Sequence, residues 1–428
     1  MQSLNRRQFL GSAVAGAAAM SGILGAADNP AETPLKLGLI GCGWYGMVDV
    51  EAAFKAGGVE VIALCDVDSD HLAQSADKVE KLQKSRPQTF KDYRELLAVP
   101  GLQAVIIATP PHWHALQFIA ALDKGLDIYC EKPLAYDIRE CQAMLAASKQ
   151  HPKSVVQIGF QRRQSPAFKQ VAGFIKQGNL GRVVQADVQI HYSAGLKDTK
   201  PQDPPASLDW DLWCGPAPKL PYCPQIGHMA WRLEKEYGHG HLVDWGIHLI
   251  DATRMILGES VPVRITASGA SAYLKEITTP DTLTVQFDFA SCPVTWRHRL
   301  WGAEEYTPEV SNGIFLFGEK GTIFAADDHW IEIPKGKNQQ RTPHEAKADL
   351  GGLHMAEFLG AVRTRIQPSG TVEQAFQSTA TVKLAMIAYD SGQSIRFNAA
   401  ANQIENNPAA SALLKRGYRK PYNHPFAG

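Results

Sequence analysis

A glycine-rich turn directly after a short apolar run most constrains how this chain can fold. Residues 35–40 are largely apolar, and Gly41-Cys42-Gly43-Trp44-Tyr45-Gly46 follows in the pattern G-x-G-x-x-G. In such a turn the first glycine permits the bend, the second lets the backbone approach a pyrophosphate, and the third allows close helix–strand packing. Because residues 47–56 have a helical pattern, the sequence predicts the first strand–turn–helix unit of a dinucleotide-binding domain.

An acidic residue follows the second apolar run, at the position where a dinucleotide-binding unit carries one. A second apolar run, residues 59–65, ends on Asp66, about twenty residues past Gly46. A carboxylate there can accept hydrogen bonds from the adenosine ribose hydroxyls and would repel a 2′-phosphate. The pattern therefore favours NAD over NADP as cofactor. The alternative is that Asp66 is a solvated turn residue.

Strand and helix patterns continue to alternate after Asp66. Helical patterns occupy residues 69–82, 93–98, 114–124 and 137–150, and strand patterns occupy 104–108, 126–130 and 154–158. This alternation predicts an α/β fold, a doubly wound parallel sheet over residues 34–158. Ligands bind such sheets outside the carboxyl ends of the strands.

Several of those strand ends carry motifs of a known family. With Glu131-Lys132-Pro133 the chain resembles the glucose–fructose oxidoreductase, inositol dehydrogenase and rhizopine-catabolism family, Gfo/Idh/MocA. Segments 108–114, 163–166, 210–216 and 240–251 add to the resemblance, which covers nearly all of the chain after residue 34. Each motif is modest alone, but their order and spacing are specific.

The resemblance implies an N-terminal NAD-binding Rossmann domain and a C-terminal α/β domain with a large open mixed sheet. We assign residues 159–398 to this substrate and oligomerisation domain and residues 399–428 to a C-terminal surface arm. Because the family's sheet commonly forms the oligomer interface, a homo-oligomer, either dimer or tetramer, is expected. The polar loops at 195–206 and 335–349 are candidate lids or partner contacts.

Three residues form the expected catalytic set. The ammonium of Lys132, beside nicotinamide, can stabilise a developing alkoxide. Asp244 and His248 are four residues apart and share one face of a helix. His248 could take the hydroxyl proton, and Asp244 could orient the ring or bind a neighbouring hydroxyl. The resemblance assigns the same set, although a surface lysine and a structural His–Asp pair are the alternatives.

Further residues are expected to contact cofactor or substrate. The expected cofactor contacts are Gly41, Gly43, Trp44, Tyr45, Gly46, Asp66, Thr109, His114, Glu131, Lys132 and Gln161. The expected substrate contacts are His112, Arg163, Trp231, His241, Asp244 and His248. Packing is nearly as good an explanation for His112. A metal site of His239, His241, Asp244 and His248 is conceivable, but no cysteine joins them and we expect none.

Composition narrows the partners and the redox chemistry. Lys+Arg and Asp+Glu both number 43, and no basic run interleaved with aromatic residues exists, so nucleic acid is not an expected partner. Seven cysteines are scattered without a CxxC motif. Cys214 and Cys223 could pair after export, although folding in a reducing cytoplasm makes this the less expected outcome.

The beginning of the chain resembles a twin-arginine export signal. Arg6-Arg7 precede an uncharged Ala/Gly-rich stretch, and small residues stand near residue 27. A flexible start with two arginines is the alternative. The twin-arginine machinery carries folded proteins, so we expect residues 1–27 to direct a cofactor-loaded protein to the periplasm.

These inferences predict an exported NAD-dependent oxidoreductase with a tightly bound cofactor that is regenerated in place. Its expected substrate is the secondary hydroxyl or ketone of a sugar, glycoside or cyclic polyol. One alternative is a redox-neutral NAD-dependent glycosidase or lyase that oxidises a ring carbon transiently. Another is a non-catalytic protein that binds sugar or NAD.

Overall fold

In the computed structural model, residues 33–304 and 312–427 are described. The proposed export signal, residues 1–27, therefore lies outside the described residues. From Leu35 onwards, the described residues form one compact unit built around two sheets. None of the helices in the described part of the chain has the length and apolar character needed to cross a membrane.

The first sheet has six parallel strands in the spatial order β3-β2-β1-β4-β5-β6. The strands are β1 Leu35–Ile40, β2 Val59–Cys65, β3 Gln88–Phe90, β4 Ala104–Ile107, β5 Asp127–Cys130 and β6 Val156–Ile158. The intervening helices are α1 Trp44–Ala56, α2 Ser69–Gln83, α3 Tyr93–Leu96, α4 Pro111–Asp123 and α5 Ile138–Gln150. This is the predicted Rossmann topology, with β1 and β4 adjacent where the strand order reverses.

Two helices start earlier than their apolar patterns indicate. Helix α1 begins at Trp44, inside the glycine turn, and α4 begins at Pro111 rather than at residue 114. Proline suits the first helical position because its fixed φ is already helical and its missing N–H would have no intrahelical acceptor. The first turn of α4 is therefore made by the loop motif itself.

The second sheet has ten strands in the order β14-β13-β12-β11-β7-β10-β9-β8-β15-β16. Its first strands are β7 Val183–His191, β8 Arg264–Ala270, β9 Thr282–Asp288, β10 Pro293–Arg299 and β11 Asn312–Gly318. The others are β12 Gly321–Ala325, β13 His329–Pro334, β14 Thr342–Glu345, β15 Ile395–Asn398 and β16 Gln403–Ile404. Because β10 pairs with β7 in parallel and with β9 antiparallel, the predicted open mixed sheet is confirmed.

Six further α-helices follow β6. They are α6 Pro166–Lys176, α7 Trp210–Cys214, α8 Ile247–Leu257, α9 Leu350–Thr364, α10 Val372–Ser391 and α11 Pro408–Ala412. Short helical turns lie at Gln161–Gln164 and Ala230–Leu233, and a π-helical turn, Leu242–Gly246, leads directly into α8.

Three segments differ from the sequence-based expectations. Helix α9, assigned by sequence to the second domain, packs its Phe358 into the cluster around Leu37 of the nucleotide sheet. The polar stretch 335–349 contains the edge strand β14 rather than only a lid. The C-terminal arm is not a free surface arm, because the Tyr418 hydroxyl donates to Glu140 Oε1 at 2.7 Å in helix α5. The positions of α9 and of the C-terminal arm depend on contacts between distant segments, which local periodicity does not encode, whereas β14 pairs with the preceding strand β13.

Candidate active site

The glycine turn lies at the carboxyl end of β1 and opens a groove. Gly41 has φ 96°, and a Cβ built on it would lie 2.8 Å from the backbone nitrogen of Thr109. A Cβ on Gly46 would collide with the carbonyl oxygen of Gly41, whereas one on Gly43 would meet nothing within 4 Å. Gly41 and Gly46 therefore permit close packing, and Gly43 leaves backbone open to the groove. This geometry fits the pyrophosphate of a dinucleotide.

Asp66 is held at the neighbouring strand end by two backbone amides. Its carboxylate accepts from the Cys42 amide at 2.6 Å and from the Asp68 amide at 2.8 Å. The side chain lines the same groove as Trp44, Tyr45 and Thr109. Its oxygens keep free lone pairs, since each carboxylate oxygen can accept two hydrogen bonds. Asp66 therefore lies where the sequence expects the ribose-binding carboxylate.

Lys132 and Asp244 meet beside Arg232, which lines this groove. The Lys132 ammonium donates to Asp244 Oδ1 at 2.9 Å and to the Asp244 main-chain oxygen at 2.7 Å. Arg232 Nε lies 3.1 Å from the other carboxylate oxygen. Burial alone would raise the pKa of Asp244, but the Lys132 and Arg232 cations hold it below its ordinary value. Asp244 is therefore an anion between two cations at neutral pH.

A π-helical turn carries Asp244. In this turn, Leu242–Gly246, the backbone follows a wider spiral than in an α-helix, and such turns are frequent at functional sites. Gly246 closes the turn, and a Cβ there would lie 2.7 Å from the Trp296 ring. The glycine thus lets the start of α8 lie against the second sheet. This contact positions Asp244 opposite Lys132.

His248 follows in the first turn of α8 and is partly buried. Its Nδ1 is buried without a hydrogen-bond partner among the described residues. Burial, and then the charges of Lys132 and Arg162, lower the pKa of His248 well below its ordinary value. The ring is therefore neutral at pH 7 and can accept a proton.

Glu131 and Gln161 lie behind the nucleotide groove. Gln161 Nε2 donates to Glu131 Oε1 at 2.9 Å, and the Glu131 carboxylate also accepts from the Lys132 amide at 3.2 Å. Burial raises the pKa of Glu131 to about 7. His114 lies 2.9 Å from the Pro133 oxygen and 2.8 Å from the Thr109 oxygen. These three side chains join the strand ends rather than line the groove, and so they position Lys132.

Two expected substrate contacts are contradicted by the structure. His112 is fully buried, its Nε2 lies 2.9 Å from the Trp213 oxygen, and the Trp213 and Tyr237 rings flank it. Arg163 is buried in a two-pronged ion pair with Asp251, at 2.8 and 2.6 Å. Both side chains are structural because the chain covers them on all sides. Among the expected contacts, Trp231 lines the nucleotide groove and His241 lines a pocket beside Asp244.

A segment that the sequence analysis did not connect to the cofactor lies across the Rossmann strand ends. We call residues 207–232 the strap. Asp209 donates its amide to the Val67 oxygen at 3.0 Å, and Lys91 forms an ion pair with the Asp209 carboxylate at 2.5 Å. At its other end His228 Nε2 lies 2.9 Å from Asp68 Oδ2. The strap therefore covers part of the groove. Its sequence gives no signal for these contacts, since their partners are over a hundred residues away.

The structure also bears on the conceivable metal site around His239 and on the possible pairing of Cys214 with Cys223. His239 lies 3.3 Å from Asp390 and does not join His241 and Asp244. In the described part of the chain, the groups with metal-like geometry lie elsewhere: Asp68, His71 and His228 form one, and Asp137, Glu140 and His424 form the other. Cys214 and Cys223 are buried free thiols rather than a pair.

Both domains match models of a known protein family. Residues 35–160 match the model of the Gfo/Idh/MocA oxidoreductase family described as its NAD-binding Rossmann fold. Residues 172–424 match the model described as the C-terminal alpha/beta domain of the oxidoreductase family. The chain belongs to the Gfo/Idh/MocA family.

Individual family members resemble parts of the chain. Inositol 2-dehydrogenase from Salmonella typhimurium is 32% identical over 161 residues, which are 37% of this chain and 46% of that protein. The alignment thus spans less than half of that relative's length. The structure of myo-inositol 2-dehydrogenase from Lactobacillus plantarum has a TM-score of 0.64 at 19% identity, covering 85% of this chain and 100% of that one. Levoglucosan dehydrogenase in complex with NADH and levoglucosan has a TM-score of 0.67 at 18% identity, covering 85% and 99%. These two structures share the fold of this chain.

Proposed function

We propose that this protein is an NAD-dependent oxidoreductase acting on a secondary hydroxyl or ketone of a sugar, glycoside or cyclic polyol. The observation that carries the proposal is the contact of 2.9 Å between Lys132 Nζ and Asp244 Oδ1, beside Arg232 of the nucleotide groove. A cation there can stabilise the oxygen of a carbinol as it becomes an alkoxide. The names of the relatives, inositol and levoglucosan dehydrogenases, support the same substrate class.

The protein's own groups divide the proton chemistry. Bound NAD would accept or return the hydride. Lys132 binds and polarises the substrate oxygen, because its ammonium is fixed by Asp244 through two hydrogen bonds. Neutral His248 takes the hydroxyl proton during oxidation and gives it back during reduction. Asp244 keeps the Lys132 ammonium oriented.

We propose further that the cofactor is NAD rather than NADP and is bound tightly. Asp66 and Asp68 place two carboxylates at the end of β2, where a 2′-phosphate would be repelled. The strap supports retention, because a bound dinucleotide would leave only after the strap's contacts with Val67, Asp68 and Lys91 had opened. Tight binding suits the proposed export by the twin-arginine machinery to the periplasm, where free NAD is not expected.

The test begins with protein purified without added nucleotide. Mass spectrometry of the nucleotide released on denaturation should find NAD or NADH in near-equimolar amount. Sugars and polyols are then screened by the absorbance of reduced nicotinamide. Accumulation with one sugar and clearance with a second carbonyl compound would support internal regeneration. Release of an aglycone without net reduction would support the redox-neutral glycosidase, and absence of nucleotide would contradict the preloaded cofactor.

Export and assembly need separate measurements. Replacing both arginines, Arg6→Lys with Arg7→Lys, should leave the protein in the cytoplasm, as fractionation of the native host would show. A periplasmic double variant would contradict twin-arginine export. We also propose a homo-oligomer, dimer or tetramer, and light scattering of the purified protein measures its mass directly.

A further inference from the structure

A small pocket adjoins Asp244 on the side of the second domain. Its walls include Tyr192, Lys197, His241 and Trp245. Arg232 lines both this pocket and the nucleotide groove, as does Met229 of the strap. A substrate whose reacting carbon faces Lys132 would therefore place a neighbouring part in this pocket. We call it the inner pocket.

The inner pocket carries more positive than negative charge. Its described lining contains two cations, Lys197 and Arg232, and one carboxylate, Asp244. That carboxylate is already engaged, because Lys132 contacts one oxygen at 2.9 Å and Arg232 the other at 3.1 Å. Counting Lys132, three cations lie at or beside the pocket with this one carboxylate, so there is a surplus of two positive charges. An anionic ligand group would reduce that surplus.

Polar side-chain atoms without a partner in the described lining also favour an anionic ligand. Arg232 Nε contacts Asp244, and its Nη1 donates to the Met229 main-chain oxygen at 2.9 Å. The guanidinium carbon lies 4.7 Å from the Trp231 ring centroid. Its Nη2 has no partner within the described chain. His241 is 2% exposed, and its Nε2 has no hydrogen-bond partner among the described residues. Both atoms belong to side chains that form the pocket.

Charged and amide acceptors are scarce in the same lining. Gln225 uses its carbonyl oxygen for the Lys197 amide at 2.7 Å, and both Asp244 oxygens face cations. Lys197 gives one proton to the His228 oxygen at 3.1 Å and keeps two others. A neutral sugar would bring hydroxyls that need acceptors as well as donors. A carboxylate needs only donors.

We infer that the inner pocket recognises a carboxylate on the substrate, so that the preferred substrate is a sugar acid such as a uronate or aldonate. This inference rests on the proposed function for the reaction but not for the binding. Arg232 is the specificity-determining residue, since its planar fork can pair with Asp244 and with the substrate carboxylate together. Lys197 supplies the second cation from the pocket mouth.

The test compares acids with matched neutral sugars on the NAD-loaded protein. Isothermal titration calorimetry would measure Kd for glucuronate against glucose, galacturonate against galactose, and glucose 6-phosphate as a dianion. The acids should bind at least about tenfold more tightly than the matched sugars, and the preference should shrink at high salt because it is electrostatic. Equal binding of acid and neutral sugar overturns the inference, and tighter binding of the phosphate ester overturns the carboxylate assignment.

Variants assign the preference to residues. Arg232→Gln should abolish most of the acid-over-neutral ratio, and Arg232→Lys should keep part of it. If Arg232→Gln fails to fold, Lys197→Gln in an exposed loop tests the same ratio, with Lys200→Gln as the matched exposed control. A ratio that neither Arg232→Lys nor Lys197→Gln alters contradicts the inference. If acids bind selectively but no reduced nicotinamide forms, the inference about the pocket stands and the proposed reaction is rejected. If acids and neutral sugars are turned over with equal kcat/KM, the proposed reaction stands and the inference about the pocket is rejected.

Discussion

At the scale of single residues, the site depends on one carboxylate held between two cations. Asp244 is nearly buried, and its charge is kept because Lys132 and Arg232 contact its two oxygens. Sequence patterns named Lys132, Asp244 and His248 but did not name Arg232. The omission has a physical reason, since the contact between Arg232, in the short turn Ala230–Leu233, and Asp244 depends on the path of the chain between them and not on local periodicity.

Replacing Lys132 by methionine removes the ammonium while keeping the length of the side chain. We expect kcat to fall by about 10²–10⁴-fold, because the developing alkoxide loses its cation, while NAD remains bound. Steady-state kinetics on the best substrate and nucleotide analysis of the purified variant measure both quantities. Lys149→Met, at an exposed position on α5, is the control. A Lys132→Met enzyme with unchanged kcat would remove Lys132 from the mechanism.

At the scale of elements, a π-helical turn and the strap shape the cleft. The conformation of each depends on the residues that pack against it. Gly246 closes the turn against Trp296, and the strap ends pair with the segment that follows β2. Apolar periodicity indicates where α8 runs but not that its start is widened.

Gly246→Ala tests the turn. The added methyl would lie 2.7 Å from the Trp296 ring and 2.9 Å from Leu242 Cδ1, so we expect a loss of about 1–3 kcal/mol in the free energy of unfolding. Activity should fall as well, because Asp244 shifts. Gly360→Ala in α9, whose added methyl meets nothing within 4 Å, should instead be neutral or stabilising by up to about 1 kcal/mol. Denaturant titration and kcat of both variants check this, and equal effects would contradict the packing argument.

The strap predicts slow exchange of the cofactor. Lys91→Gln with His228→Ala removes an exposed ion pair and the contact with Asp68, so we expect NAD to dissociate about three- to tenfold faster. Lys91→Gln leaves Asp209 free to cap α7. Dissociation into excess labelled NAD gives the rate, with His151→Ala as the control. An unchanged rate would show that the strap does not retain the cofactor.

At the scale of the whole molecule, buried histidines govern the response to acid. Burial lowers the pKa of His112 to about 3 and the pKa values of His239, His298 and His354 to about 4. In the unfolded chain histidine titrates near 6.5. Below that pH the unfolded state therefore binds protons that the native state does not bind, and the free energy of unfolding falls as pH falls.

Two buried glutamates oppose this trend. Burial raises the pKa values of Glu131 and Glu140 to about 7, so below about pH 7 the native state binds their protons before the unfolded chain does. In the described chain eight histidines have lowered pKa values and six carboxyl groups have raised ones, so the histidines outnumber the groups that oppose them. Each histidine contributes up to about 1.4 kcal/mol per pH unit. We expect Tm to fall steadily from pH 6.5 to 4.5 in thermal unfolding scans. His112→Gln should flatten the slope relative to His151→Gln, and a rising Tm would contradict the account.

The nucleotide half could be predicted from the sequence, whereas the catalytic set of Lys132, Asp244 and His248 stays a prediction. Gly41–Gly46, Asp66 and Lys132 act next to strand ends, and local spacing encodes strand ends. The tertiary structure shows that His112 and Arg163 are buried, that α9 returns to the first sheet, and that Lys132 and Arg232 contact the two oxygens of Asp244. The physical reason is that burial and charge pairing depend on which distant segments pack together, whereas periodicity reports only each segment's own neighbours.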